Sequence, residues 1–161
     1  MIIYKNFLSK KEFKELEDKI MSAHMPWYYN DSIVLKKEDH FQFVYNFVLA
    51  EGKINCENFM MDLLKPFIKK LNIKNFFKVK ANLLTRTNKI IEHGMHIDDT
   101  EHTKGKTGIF YLNTCNGYTK FEDGTKIKSE KNKYVEFDCN IKHTGSSCTN
   151  KKRRVVINLN Y

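Results

Sequence analysis

The chain has 161 residues, 41% of them hydrophobic, including 12 Phe and 8 Tyr; this suits one domain with a single sizeable core and excludes a disordered chain. It contains no apolar run of about 18 residues or more, which excludes a transmembrane helix. The net charge of +9 comes from 25 Lys and only 3 Arg, scattered from Lys5 to Lys152 in an Asn- and Ile-rich sequence of the kind AT-rich codons produce, so a solvated surface is preferred over a phosphate-binding track.

The first residues, Met1-Ile2-Ile3-Tyr4-Lys5, lack the long apolar stretch of a secretory signal, and a cytoplasmic protein is expected. Cys56, Cys115, Cys139 and Cys148 show no C-x-x-C pairing or short zinc-ribbon spacing. They are read as reduced thiols, with a Cys139–Cys148 bridge left open. Ser9-Lys10-Lys11-Glu12 forms a capping-box pattern, followed by Phe13, Leu16 and Ile20 at helical spacing, so a helix is predicted there. A loop is expected around Met25–Asp31. The apolar stretch Phe41–Ala50 is ambiguous between helix and strand, with helix preferred. A further helix is predicted over Glu57–Leu71, where Phe59, Leu63, Phe67 and Leu71 fall four apart, and Pro66 should kink or divide it.

From Phe76 the texture changes to short strands and turns. Strands are predicted at Phe76–Leu84, Glu92–Asp98, Thr107–Asn113, Tyr118–Glu122, Thr125–Ser129, Lys133–Asp138 and Arg153–Tyr161. Asn116-Gly117 and Asp123-Gly124 supply turn signals between them. The expected class is mainly β with N-terminal helices (α+β), a β-sandwich or jelly roll with helices packed on one sheet. It forms one domain over 1–161, with 1–75 as helical support and 76–161 as the jelly-roll core.

His96-Ile97-Asp98 is the first group with chemical content. On a strand, residues two apart face the same way, so His96 and Asp98 would point together. Alone, such an H-x-D is better read as two surface polar residues at a strand end than as a site. His143 adds a second imidazole in the turn-like Lys142-His143-Thr144-Gly145. Two histidines and one carboxylate suit Fe(II) and leave coordination positions open. Zinc could take the same ligands, but no motif supplies a general base for metal-assisted hydrolysis. Arg154 opens the last strand, where alternation places Arg154, Val156, Asn158 and Asn160 on one face and Val155, Ile157, Leu159 and Tyr161 on the other. An Arg on a cavity wall needs an anionic partner, either a ligand carboxylate or a protein carboxylate in a structural salt bridge.

The ordered set His96-Ile97-Asp98, Ile109-Phe110-Tyr111-Leu112-Asn113, Asn116-Gly117-Tyr118-Thr119-Lys120-Phe121, His143 and Arg154 resembles the prolyl-4-hydroxylase-like branch of the Fe(II)/2-oxoglutarate dioxygenases. The resemblance covers roughly residues 76–161, and small stand-alone members encoded by bacteriophages are most alike in length and layout. It implies a double-stranded β-helix, with His96, Asp98 and His143 as catalytic iron ligands. It further implies Arg154 as the partner of the distal carboxylate of 2-oxoglutarate, assisted by the Tyr111 hydroxyl. The implied cofactors are Fe(II), 2-oxoglutarate as cosubstrate and O2, with ascorbate as an additional candidate. The implied reaction is hydroxylation of a C–H bond with release of succinate and CO2, peptide or protein side chains being the leading substrate class. Oxidative demethylation of nucleic acid and a non-catalytic jelly-roll binding module are the alternatives. No membrane partner is expected. The family often has a Tyr about ten positions before its first iron-binding His; Leu83-Leu84-Thr85-Arg86 stands there in this chain, with Asn82 or Arg86 as candidate replacements.

Among the other histidines, His93 is expected to face away from His96 in a surface or supporting role, and His24 and His40 have no evident partner. His102 lies in a polar stretch, residues 99–106, that either closes over substrate or is simply solvated. Trp27, Tyr28 and Tyr29 are read as a packed aromatic cluster, with a substrate-facing loop as the alternative.

Overall fold

The predicted capping box forms at the start of α1 (Lys10–Ile20). The Ser9 hydroxyl accepts from the Glu12 backbone N–H at 3.3 Å, and the Glu12 carboxylate accepts from the Ser9 N–H at 2.9 Å. Such a cap is worth about 1 kcal/mol, and the helix it fixes buries Phe13, Leu16 and Ile20. The chain is described here by a computed structural model covering residues 1–34, 40–98 and 105–161. Pro66 divides the next helical stretch into α2 (Asn58–Asp62) and α3 (Lys65–Leu71), since proline is accommodated only in a helix's first turn. No helix among the described residues is long and apolar enough to cross a membrane.

The strands are β1 (Ile2–Tyr4), β2 (Tyr28–Asn30), β3 (Gln42–Val48), β4 (Lys78–Thr85), β5 (Lys106–Tyr111), β6 (Tyr118–Phe121), β7 (Lys126–Lys128), β8 (Lys133–Asp138), β9 (His143–Gly145) and β10 (Arg153–Asn160). They form a seven-stranded antiparallel sheet in the order β1-β8-β5-β10-β4-β3-β2 and a three-stranded sheet in the order β7-β6-β9. The central strand β10 pairs with both β4 and β5, placing Arg154 opposite Leu84, Val156 opposite Asn82 and Tyr111, Asn158 opposite Lys80 and Ile109, and Asn160 opposite Lys78 and Thr107. Its other face, Val155, Ile157 and Leu159, belongs to one core cluster with Val79, Ala81, Phe110 and Tyr134 and with the α1–α3 side chains Leu16, Ile20, Met60, Leu64 and Phe67. Ile109, Tyr111, Phe121, Val135, Phe137 and Val156 build a second cluster between the sheets. Close packing is tightest at Gly108, where an added Cβ would lie 1.8 Å from the Tyr134 hydroxyl oxygen.

Four expectations are corrected. The stretch preferred as helix over Phe41–Ala50 contains strand β3, buried on both faces and with a register shift between Asn46 and Val48. A strand covered on both sides loses the alternation that would distinguish it from a helix. Tyr28–Asn30, expected within a loop, is an edge strand, and the segment 1–75 therefore contributes strands as well as helices. Glu92–Asp98 is no regular strand but meets β9 and the residue after it through isolated bridges, His96 to His143 and Glu92 to Ser146. Conversely His143, expected in a turn, opens β9. The four cysteines are free thiols. The expected loop at 99–106 and His102 lie outside the described residues up to residue 104.

Candidate active site

β9 and the segment before Asp98 are stitched together by two backbone hydrogen bonds of 2.9 Å, from His96 N–H to the His143 carbonyl and from His143 N–H to the His96 carbonyl. The two imidazole rings lie 4.9 Å apart between centroids. Each ring turns its Nδ1 to a local carbonyl, Gly94 at 3.0 Å for His96 and Ile141 at 3.2 Å for His143. A carbonyl can only accept, so both rings carry their neutral proton on Nδ1 and present the Nε2 lone pair to the same point. Asp98 completes the group: its Oδ1 is 3.3 Å from His96 Nε2 and its Oδ2 is 3.7 Å from His143 Nε2. One ligand atom from each of the three residues lies within 4.8 Å of the others. These side chains converge through the bend at Asp98 rather than through the pleat of a strand.

Asp98 Oδ2 is buried with no hydrogen-bond partner. A buried carboxylate oxygen without a partner is costly, and a cation among the three donors would satisfy it. Neutral imidazoles and a carboxylate, without thiolate, form a donor set that accommodates Fe(II). Burial disfavours charge on His96, but the hydrogen bond and charge of Asp98 outweigh it and hold its pKa above the ordinary value. His143 is pushed down by burial. For Asp98, burial opposes ionisation, yet His96 and His143 hold its carboxyl below the usual range. The segment leading to His96 is anchored by Glu92, which accepts from Lys120 at 2.7 Å and from the Tyr118 hydroxyl at 2.5 Å, with Lys126 at 3.0 Å. Those partners hold the Glu92 pKa at about 2.

The three residues open onto a cleft of about 70 Å³ walled by Lys80, Asn82, Leu84, Ile109, Thr119, Arg154, Val156 and Asn158 among others. Arg154 is 3% exposed. Its Nε donates to the Ser129 hydroxyl at 2.7 Å and its Nη2 to the Thr119 hydroxyl at 3.2 Å, and the guanidinium carbon sits 5.7 Å from the Tyr111 ring centroid. Tyr111, fully buried, donates its own hydroxyl proton to Thr119 at 2.8 Å. Burial pulls the Arg154 pKa down, and no carboxylate among the described residues lies within salt-bridge distance of it. Arg153 points the other way and donates to the Met21 carbonyl at the end of α1, at 2.9 Å.

Of the candidate replacements for the missing Tyr, Asn82 lines the cleft, whereas Arg86 is exposed. His93, expected to face away, lines the cleft wall with its ring edge-on to His40 at 5.9 Å. Its segment is not a strand, so alternation did not apply to it. Lys80, Thr119, Ser129 and Asn158 were not singled out by the sequence as site residues. For Lys80 and Asn158 the signal was present, since each shares a strand face with a residue that was.

No protein-family model and no curated protein sequence matches the chain. Solved structures do match. An oxidoreductase of the 2OG-Fe(II) oxygenase family from Burkholderia pseudomallei superposes with a TM-score of 0.72 at 11% identity, covering 99% of this chain and 84% of that one. A prolyl hydroxylase from Trichoplax adhaerens, in complex with a hypoxia inducible factor oxygen degradation domain peptide fragment, has a TM-score of 0.69 at 14% identity, covering 99% and 82%. A Pseudomonas putida prolyl-4-hydroxylase has a TM-score of 0.62 at 13% identity, covering 99% and 90%. The chain therefore has the jelly-roll-like fold of the 2-oxoglutarate and Fe(II) oxygenases, and the likeness extends well beyond residues 76–161.

Proposed function

We propose that the chain is an Fe(II)- and 2-oxoglutarate-dependent dioxygenase that hydroxylates a C–H bond, on a peptide or protein side chain, with release of succinate and CO2. In this reading the helices α1–α3 cover one sheet of a double-stranded β-helix. The observation that carries the proposal is Arg154: a buried guanidinium facing the cleft of His96, Asp98 and His143, with no carboxylate among the described residues to pair with it. An unpaired buried cation is tolerated when a ligand supplies the anion.

When bound at His96, Asp98 and His143, Fe(II) supplies activation of O2 coupled to decarboxylation of 2-oxoglutarate. The protein's own part is positional. The carbonyls of Gly94 and Ile141 fix the imidazole tautomers, so both Nε2 atoms remain available. Ser129 and Thr119 immobilise two edges of the Arg154 guanidinium, leaving Nη1 to meet a carboxylate without a further loss of rotamer freedom. Ile109, Leu84 and Val156 line the intervening wall and exclude water, which strengthens the charge pairing inside. The peptide bound to the Trichoplax neighbour supports a peptide substrate here. The test is calorimetric titration of 2-oxoglutarate into the Mn(II)-loaded protein. One molecule should bind per chain, only with metal present, and His143→Ala should abolish or greatly weaken that binding. A wild-type protein that binds neither Mn(II) nor 2-oxoglutarate would overturn the reading.

A further inference from the structure

The proposed chemistry uses Arg154 and leaves a second, half-buried cation in the same cleft. Lys80 on β4 lines the cleft with His96, Asp98 and Asn158. On the far side of Asp98 lies a small hollow of about 20 Å³, lined by Lys78, Lys80, Asp98, Asn158 and Asn160. The register explains the grouping, since Asn158 lies opposite Lys80, and Asn160 lies between Lys78 and Thr107, all on one face of the sheet. Asn158 Oδ1, Asn160 Oδ1 and Thr107 Oγ1 are buried without hydrogen-bond partners, and Asn160 is only 3% exposed. The Lys80 ammonium has no salt-bridge or hydrogen-bond partner among the described residues. The carboxylate near it among the described residues is Asp98, which the metal would claim.

We propose that this hollow is a substrate subsite for a carboxylate: Lys80, with Lys78 and the carboxamides of Asn158 and Asn160, receives an anionic group of the substrate beside the metal. The inference rests on the function proposed above and narrows its substrate class. Three arguments carry it. A half-buried ammonium without an ion-pair partner among the described residues, beside two carboxamides whose ends can exchange, calls for a ligand of complementary charge. A carboxylate meets the lysines directly, and each Asn can turn its NH2 end toward it. Charge balance points the same way. With a divalent metal, Asp98, Arg154, Lys80, Lys78 and doubly charged 2-oxoglutarate counted together, two positive charges remain among the described residues, and a carboxylate offsets one of them. Finally, Asn158, opposite Lys80, lies four residues along β10 from Arg154, about 14 Å at the rise of an antiparallel strand, so the two cations stand at different ends of the cleft.

The carboxylate could belong to a free amino acid or to an acidic residue within a peptide. The experiment follows the side-chain carboxamide signals of Asn158 and Asn160 by NMR in the Zn(II)-loaded protein saturated with 2-oxoglutarate. Formate is titrated against its uncharged counterpart, formamide. Formate should give saturable shifts with an affinity about ten-fold or more above that of formamide, as expected for a charge-assisted contact in a desolvated site. Lys80→Met and Asn160→Leu should each weaken formate by a similar factor, while the shifts that 2-oxoglutarate causes at Thr119 and Tyr111 persist in both variants. L-glutamate and an end-blocked Ala-Glu-Ala peptide then distinguish the sources; saturable shifts from either support the subsite. Absence of saturable formate shifts, equal response to formamide, or formate binding that survives both substitutions overturns it. Loss of 2-oxoglutarate binding in Lys80→Met also overturns it, by assigning Lys80 to the cosubstrate. If 2-oxoglutarate causes no shifts in wild type, the functional reading fails instead, and formate titration of the protein alone still decides the subsite.

Discussion

Arg154→Ala should separate cosubstrate affinity from fold stability. In the protein without ligand, the guanidinium is buried, held by two hydroxyls and the Tyr111 ring, and faces no carboxylate among the described residues. Its removal forfeits two hydrogen bonds but also relieves an uncompensated buried charge, so stability without ligand should change by no more than about 1 kcal/mol. With ligand the balance differs. Truncating one partner of a desolvated charge pair costs about 2–5 kcal/mol, a loss of about thirty-fold or more in 2-oxoglutarate affinity. At a concentration one hundred times the wild-type Kd, ligand stabilises the native state by about 2.7 kcal/mol; a thirty-fold weaker variant retains only about 0.9 kcal/mol. Arg153→Ala removes a partly exposed cap on the Met21 carbonyl and should change affinity no more than about two-fold. Tyr111→Phe deletes the proton donated to the Thr119 hydroxyl that also accepts from Arg154, and should fall between, at about 0.5–1.5 kcal/mol. The assay is thermal denaturation of the Mn(II) protein with and without 2-oxoglutarate, cross-checked by direct titration. A damaging Arg153→Ala beside a harmless Arg154→Ala would refute the reasoning, and equal loss in both would reduce it to a stability effect.

Mn(II) affinity should fall as pH drops from 8 to 6. His96 keeps its proton to above the usual imidazole value of 6.5, and protons compete with metal for Nε2 wherever the ring is charged; a pH-independent affinity would exclude His96 as a ligand. Gly117→Ala should weaken 2-oxoglutarate binding in titration, because the new Cβ would stand 2.7 Å from both Arg154 Cδ and the Ser147 carbonyl and displace the guanidinium; unchanged affinity would show that the Arg154 position is not critical. Gly108→Ala should destabilise the fold by about 3 kcal/mol or more in denaturant unfolding, at the upper end for overpacking, since the clash is with the fully buried Tyr134 ring; a neutral change would refute the tight β5–β8 packing.

The features legible in the sequence were those with a local physical signature. The Ser9–Glu12 box announced α1, Pro66 announced the break between α2 and α3, and the alternation of β10 separated Arg154 from Arg153. What the sequence concealed depended on partners distant in the chain. β1 is three residues of a sheet edge and carries no period of its own. β3 is covered on both faces, so its apolar run reads equally as a helix. The convergence of His96 and Asp98 was anticipated for a reason that does not hold, since they sit on an irregular segment tethered by Glu92 to Tyr118 and Lys120. Lys80 was hidden among 25 lysines, and only its register opposite Asn158 separates it from a solvated surface residue.

The most direct test of the central claim is conversion of isotopically labelled 2-oxoglutarate to succinate, followed by NMR. The wild-type protein should form succinate only when Fe(II) and O2 are both present, and His143→Ala, folded but lacking one imidazole of the set, should form none above background. A wild-type protein that makes no succinate at any Fe(II) concentration, or a His143→Ala variant as active as wild type, would contradict the account.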